Sequence, residues 1–207
     1  YEYVYSLPNV MTYYMHALLI SQILWKHHFN IFIYFQSQIK ELFKNKKELS
    51  ILDIGPGHGF FSYIVKNEFK DFNAIDIVDI SETSLNMTKE ILGEENGKIQ
   101  YNLQDIFDYN DTVKYDFIII GEVIEHLDKP QEILKKISNL LTEDGMVWIT
   151  TPTNSPAIDH VYLFNSKEEV YQLMNASNLE VIETCNYLSE DVTEEFATKH
   201  KITDLVG

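Results

Sequence analysis

Residues 51–65 read ILDIGPGHGFFSYIV, and they give the clearest local pattern in the chain. The apolar run at its start predicts a buried strand, the three glycines between residues 55 and 59 predict a tight turn, and the amphipathic residues that follow predict a helix. A strand, a glycine-rich turn and a helix in this order present free backbone N–H groups to a ligand. A glycine-rich turn alone is a weak signal, so its surroundings must support it.

The rest of the chain after residue 50 repeats the alternation of apolar and amphipathic runs. The runs ILDIG, FNAIDIVD, KIQYNL, YDFIIIG and GMVWITT predict strands, and GFFSYIVKNEF, SETSLNMTKEIL, QEILKKISNLL and SKEEVYQLMNAS predict helices. Alternating strands and helices imply right-handed crossovers and a doubly wound, Rossmann-like, mainly parallel sheet. Ligands bind to such sheets at the C-terminal ends of the strands.

We predict two parts, an N-terminal helical segment at 1–47 and an α/β domain at 48–207. Residues 10–44 have helical periodicity, with Asn30 as the expected break. Ten of the 27 aromatic side chains lie in the first 36 residues, and so apolar a segment must pack on something. We expect it to be a lid over a substrate pocket, with dimerisation of two chains as the alternative.

Composition limits the function. The 207 residues suit one domain, and 16 Lys against 32 Asp and Glu, with no arginine, give a net charge of −16. Arginine supplies much of phosphate and base recognition, so we do not expect nucleic acid as a partner. The single cysteine, Cys185, excludes an internal disulfide and fits a reducing compartment.

The most apolar segment, HALLISQILWKHHFNIFIYF, is interrupted by Lys26, His27 and His28 and falls short of a membrane span. The acidic, tyrosine-rich start lacks the basic region of a signal peptide. We therefore expect a cytoplasmic protein without a membrane partner.

Acidic residues follow three successive strands. Asp53 closes the first strand, Asp79 with Ile80 follows the second, and Asp105 with Ile106 follows the third. A carboxylate at the end of the second strand can accept hydrogen bonds from both ribose hydroxyls of a nucleotide. The glycine spacing is G-x-G-x-G rather than G-x-G-x-x-G, which disfavours a nicotinamide oxidoreductase.

The motifs DIGPGHGFFS, VDISETSL, LQDIF, YDFIIIGEVIEHL and LLTEDGMVWITTP, in this order, resemble the class I S-adenosylmethionine-dependent methyltransferases over about residues 48–187. The resemblance implies that S-adenosylmethionine is the cofactor and methyl donor. It implies that Asp79 and Ile80 hold the ribose and that Asp105 and Ile106 hold the adenine. The methionine part would be held by Asp53, Gly55, Pro56, Gly57 and Gly59, with Glu122 also at the donor.

One feature departs from the family pattern. Class I methyltransferases close the sheet with an antiparallel hairpin, but the C-terminal SEDVTEEFATKHKITDLVG is acidic and only its last residues are strand-like. We expect a degenerate final strand or a sheet without it.

The stretch GEVIEH places Glu122, Glu125 and His126 directly after the fourth strand. If these residues form one helical turn, their side chains share a face. His160 follows the fifth strand, which neighbours the fourth in this fold, so it can reach the same place. Two carboxylates and two imidazoles make a candidate site for Mg²⁺, Mn²⁺, Fe²⁺ or Zn²⁺.

The motif E-x-x-E-H resembles that of the ubiquinone-biosynthesis O-methyltransferases. Together with the later D-H-x-[YF]-x-[FW], it resembles that of the small-RNA 3′-terminal 2′-O-methyltransferases. A metal would lower the pKa of a bound acceptor hydroxyl. The alternative is a metal-free pocket in which His126 or His160 is the general base.

We predict that the chain methylates a small, apolar or aromatic hydroxyl compound. Three alternatives stay open: N-methylation of a small amine, 2′-O-methylation of an RNA end, and a partner subunit without activity. Donor binding distinguishes the last from the others.

Overall fold

The computed structural model describes residues 8–44, 46–69, 72–109 and 112–207. Two helices come first, α1 (Pro8–Leu24) and α2 (Lys26–Leu42). The α/β part then runs β1 (Ser50–Ile54), α3 (Phe60–Glu68), β2 (Ala74–Asp79), α4 (Glu82–Leu92), β3 (Ile99–Leu103), β4 (Tyr115–Gly121), α5 (Pro130–Leu140), β5 (Leu141–Thr153), α6 (Lys167–Asn175), β6 (Asn186–Leu188), α7 (Glu194–His200) and β7 (Asp204–Val206).

The seven strands form one sheet in the order β3-β2-β1-β4-β5-β7-β6. Strands β1 to β5 are parallel to one another, and β7 pairs antiparallel with both β5 and β6. The predicted doubly wound, mainly parallel sheet is therefore confirmed. Because β1 neighbours both β2 and β4, the C-terminal ends of these three strands meet at the middle of one sheet edge.

Apolar side chains fill both faces of the sheet, as the continuous apolar strands require. Helix α2 contributes Ile31, Phe32, Phe35 and Ile39 to the core on one face. Helix α5 contributes Ile133, Leu134 and Ile137 to the core on the other face. The second N-terminal helix thus shares a core with the sheet, while the division of the chain between residues 47 and 48 stays a prediction.

The predicted helix break at Asn30 is wrong. The backbone leaves the helical conformation at Trp25 (φ −90°, ψ 120°), and Asn30 lies inside α2. Packing explains the difference, because a continuous α2 places Ile31, Phe32 and Phe35 against the sheet. That burial outweighs the weak helix propensity of a single asparagine.

The final strand is present. It is only three residues long, and it lies between β5 and β6, with Leu205 and Val206 buried. Of the two alternatives, the structure therefore shows a short final strand that completes the antiparallel part of the sheet.

Among the described residues, no helix is both long and apolar enough to span a membrane. Tyr1, Tyr3 and Tyr5, which belong to the aromatic N-terminal segment, lie outside the described residues.

Candidate functional site: a donor turn beside a carboxylate and imidazole cluster

A cavity of about 480 Å³ lies at the C-terminal ends of the parallel strands. This volume is within the range of small-molecule sites. The N-terminal helices cover it with Met11, Tyr14, Met15, Leu18 and Phe32, and the glycine turn and the strand-end loops form its floor. Tyr13, in the same helix as Tyr14, is 80% exposed and does not line the cavity.

The glycine turn needs glycine because of its backbone conformation. Gly55, Gly57 and Gly59 all have positive φ, of 62°, 57° and 73°, which side chains with a Cβ rarely adopt. At Gly57 a Cβ would meet nothing within 4 Å, so the backbone there faces open space in the cavity. Hydroxyls of α4 hold the turn from behind, because Thr88 Oγ1 lies 3.1 Å from the carbonyl oxygen of Gly57.

Asp79 lies at the cavity wall with a fixed orientation. One carboxylate oxygen accepts the backbone N–H of Ser81 at 2.8 Å, and the other accepts the hydroxyl of Ser84 at 2.6 Å. Ser84 Oγ also lies 3.1 Å from the carbonyl oxygen of Gly57, so it links this acid to the glycine turn. Burial raises the pKa of Asp79, while the bonds from Ser84 and Ser81 act in the opposite direction.

Most of the residues that we predicted for the donor line this cavity: Gly55, Pro56, Gly57, Asp79, Ile80, Asp105, Ile106 and Glu122. Asp105 also caps the N-terminus of a short 3₁₀ turn, since its carboxylate accepts the N–H of Phe107 at 2.9 Å. This capping role is compatible with a contact between Asp105 and a ligand in the cavity. Whether these side chains hold the donor stays a prediction.

Asp53 and Gly59 are not among the lining residues. The carboxyl group of Asp53 is 2% exposed and accepts the Ser62 hydroxyl at 2.6 Å, beneath the turn. Burial raises its pKa to about 7. Asp53 therefore supports the glycine turn from beneath and does not line the cavity in which a donor would bind.

Glu125, His126 and His160 form a cluster at the other end of the cavity. One ligand atom from each residue lies within 4.8 Å of the others. Glu125 is 1% exposed, and its Oε2 accepts the Thr151 hydroxyl at 2.9 Å. Its Oε1 is buried without a hydrogen-bond partner among the described residues. A buried carboxylate oxygen without a partner is costly, which points to an absent donor or cation.

Backbone carbonyls fix both imidazoles in one tautomer. His126 Nδ1 lies 2.8 Å from the carbonyl oxygen of Asp159, and His160 Nδ1 lies 2.7 Å from that of Ser155. A carbonyl oxygen only accepts, so each Nδ1 must carry the proton, and Nε2 of a neutral ring is then the acceptor atom. Burial lowers the pKa of His126, which favours this neutral form. An Nδ1 held by a carbonyl is the arrangement of metal-ligating histidines.

The predicted helical turn over residues 122–126 is wrong. Glu122 has φ 54°, and only Ile124–His126 form a 3₁₀ turn, so Glu122 does not share a helical face with the others. Its ligand atoms fall outside the cluster, although it lines the same cavity. Burial raises its pKa to about 7, with the nearby His160 acting in the opposite direction.

Three more residues of the cavity, Tyr14, His28 and Asp159, were not among the predicted catalytic, donor or metal residues. The Tyr14 hydroxyl donates to Asp159 Oδ2 at 2.9 Å, and Asp159 in turn holds His126. His28 is 6% exposed, and its Nδ1 has no partner among the described residues. The Asp159-His160 pair and the adjacent histidines within an apolar helix were the available signals.

Comparison with known proteins finds methyltransferases. The family described as "Methyltransferase domain" matches residues 27–184. The chain is 29% identical to malonyl-[acyl-carrier protein] O-methyltransferase 1 of Ilyobacter polytropus over 52% of its length and 39% of that protein. It is 24% identical to the ubiquinone biosynthesis O-methyltransferase of Rickettsia bellii over 72% of its length and 69% of that protein.

A crystal structure of an S-adenosylmethionine-dependent methyltransferase from Clostridium acetobutylicum has the same fold, with a TM-score of 0.65 and 15% identity. The match covers 94% of this chain and 98% of that one. The sheet order and the glycine turn are thus those of the class I S-adenosylmethionine-dependent methyltransferase fold. The chain belongs to the methyltransferase domain family.

Proposed function

We propose that the protein transfers a methyl group from S-adenosylmethionine to a hydroxyl oxygen of a small, largely apolar acceptor, assisted by a divalent cation. The cation would be held by Glu125, His126 and His160. The observation that carries the proposal is the buried Oε1 of Glu125, which has no hydrogen-bond partner among the described residues. Glu125 offers a carboxylate oxygen within 4.8 Å of a ring nitrogen of His126 and of His160. Two curated relatives are named O-methyltransferases, which supports oxygen as the acceptor atom.

The donor half of the cavity positions the reacting group. The backbone of the glycine turn would hold the amino-acid part of the donor, and Asp79 would accept its ribose hydroxyls. In the transfer, a bond forms between the acceptor oxygen and the methyl carbon. The bond from that carbon to sulfur breaks, and its electron pair stays on sulfur to give S-adenosylhomocysteine.

The acceptor half must remove the hydroxyl proton. A bound divalent cation would lower the pKa of the acceptor hydroxyl. In the metal-free alternative, His126 Nε2 takes the proton, since its Nδ1 already donates to the carbonyl of Asp159. With a cation bound, Glu125 would supply a balancing negative charge. Without one, burial and the neighbouring Glu122 raise the pKa of Glu125 well above the usual carboxyl range, which favours its neutral form.

The apolar lining supports the acceptor class. Met11, Met15, Leu18 and Phe32 cover the cavity from the N-terminal helices. Such a surface favours an acceptor with an aromatic or aliphatic body over a polyanion, which also fits the absence of arginine. N-methylation of an amine is a second candidate, because Glu122, Glu125 and Asp159 would attract a cationic acceptor.

Calorimetry tests the donor half, since we expect S-adenosylhomocysteine to bind the purified protein. For the acceptor half, 4-nitrocatechol is a chromogenic apolar hydroxyl probe. We expect its methylation to stop after exhaustive chelation and to return with Mg²⁺, Mn²⁺, Fe²⁺ or Zn²⁺, while binding of S-adenosylhomocysteine stays unchanged. Turnover that survives chelation would exclude the cation and leave the histidine base.

A further inference from the structure

A hydrogen bond joins the first helix to the far side of the cavity. The hydroxyl of Tyr14, in α1, donates to Oδ2 of Asp159 at 2.9 Å across 145 residues of sequence. Asp159 is 9% exposed and lies in the segment that follows β5. A tyrosine hydroxyl bonded to a carboxylate is a charge-assisted contact, stronger than one between neutral groups.

Asp159 in turn holds the imidazole cluster. Its backbone carbonyl oxygen lies 2.8 Å from His126 Nδ1, and its Oδ2 lies 3.9 Å from the same nitrogen. The next residue is His160, whose ring stands edge-on to that of His126 with centroids 5.0 Å apart. A displacement of the Asp159 backbone would therefore move the carbonyl oxygen that accepts the hydrogen bond from His126 Nδ1.

The same segment is tied to the turn that carries His126. The backbone N–H of Tyr162 donates to the carbonyl oxygen of Glu125 at 2.8 Å, and His160 Nδ1 bonds to the carbonyl oxygen of Ser155. The bond from Tyr162 fixes the segment to the turn that carries His126, the bond from His160 is internal to the segment, and the bond from Tyr14 fixes the segment to helix α1. Asp159 is thus in contact with both walls.

We propose that Tyr14 and Asp159 are positioning residues that couple the docking of α1 over the cavity to the orientation of His126. When α1 is docked, the Tyr14 hydroxyl holds the Asp159 side chain, and the Asp159 carbonyl keeps the proton of His126 on Nδ1. When α1 lifts, both restraints weaken together. The inference rests on the proposed function only in assigning His126 to the acceptor side; the coupling itself needs neither donor nor metal.

The test compares Tyr14→Phe with Tyr13→Phe in metal-free protein without ligand. Tyr13 is the neighbouring tyrosine of the same helix and is 80% exposed, so it is a matched control. Two quantities are measured: hydrogen exchange of the α1 backbone amides, and the tautomer of His126 from the ¹⁵N shifts of histidine-labelled protein, assigned with His126→Gln.

We expect Tyr14→Phe to increase exchange in α1 by about 10-fold, as loss of a charge-assisted hydrogen bond predicts, and to give His126 a mixture of tautomers. Tyr13→Phe should change neither. Asp159→Ala should produce the same two effects, and adding Tyr14→Phe to it should add little, because both changes remove one contact.

Faster exchange with an unchanged His126 tautomer would overturn the coupling and leave an ordinary structural hydrogen bond. Exchange in Tyr14→Phe equal to that in Tyr13→Phe would overturn the docking role. If the protein binds no S-adenosylhomocysteine, the proposed function fails, but these two measurements still decide the inference.

Discussion

Replacing Asp79 by alanine should weaken binding of S-adenosylhomocysteine without unfolding the protein. Asp79 lines the cavity at the end of β2, and the Ser81 N–H and the Ser84 hydroxyl hold its two oxygens in place. Each of these oxygens has a second lone pair that can accept a ribose hydroxyl. The variant loses these acceptors and the negative charge.

The magnitude follows from the hydrogen bonds that are lost. A hydrogen bond to a charged group contributes about 1.5–3 kcal/mol, which corresponds to a dissociation constant about 10- to 150-fold higher. Asp108→Ala is the matched control, because it removes the same charge from an exposed acid of the same sheet edge. It should leave binding within about twofold.

Isothermal titration calorimetry of the three proteins with S-adenosylhomocysteine measures this difference, and thermal melts check that each variant is folded. Equal affinity of Asp79→Ala and the original protein would refute the assignment of the ribose to Asp79. Equal loss in both variants would attribute the effect to net charge.

Three further predictions concern the same cavity. Gly57→Ala should abolish detectable binding of S-adenosylhomocysteine in calorimetry while the fold persists, because its Cβ would project into open cavity space at a φ of 57°; unchanged binding would place the donor elsewhere. In metal-free protein, the stability of Glu122→Gln relative to the original should increase as pH rises from about 4.5 to about 7. Burial raises the pKa of the folded Glu122 carboxyl to about 7, so the free energy of unfolding of the original protein falls by up to about 3 kcal/mol over that range. The same pH dependence of the melting temperature in both proteins would contradict this. His160→Ala should weaken Co²⁺ binding, followed by its visible absorption, at least 10-fold without changing donor affinity, and an unaltered Co²⁺ spectrum would remove His160 from the cluster.

The sheet could be predicted from the sequence, and so could the meeting of most donor-site candidates in one cavity. Each buried parallel strand is a continuous apolar run, and the topology then brings Asp79 and Asp105 to one sheet edge whatever the loops do. The α/β architecture therefore followed from local patterns alone.

Features that depend on tertiary packing could not be predicted in this way. The break at Trp25 is set by how α2 packs on the sheet, and β7 is too short for a periodic pattern. Glu122 lies outside the turn Ile124–His126 because its backbone adopts a positive φ directly after Gly121. The contact between Tyr14 and Asp159 joins residues 145 positions apart, which no local pattern reveals.

We infer that one cavity holds the methyl donor beside a cation bound by Glu125, His126 and His160. Crystals grown with S-adenosylhomocysteine and Mn²⁺, measured for anomalous scattering of manganese, test this arrangement of donor and cation. We predict a manganese peak at about 2.0–2.3 Å from Glu125 Oε1 and from Nε2 of both histidines, with the donor product on the glycine turn. Donor product on the turn with no manganese at these three atoms would contradict the claim.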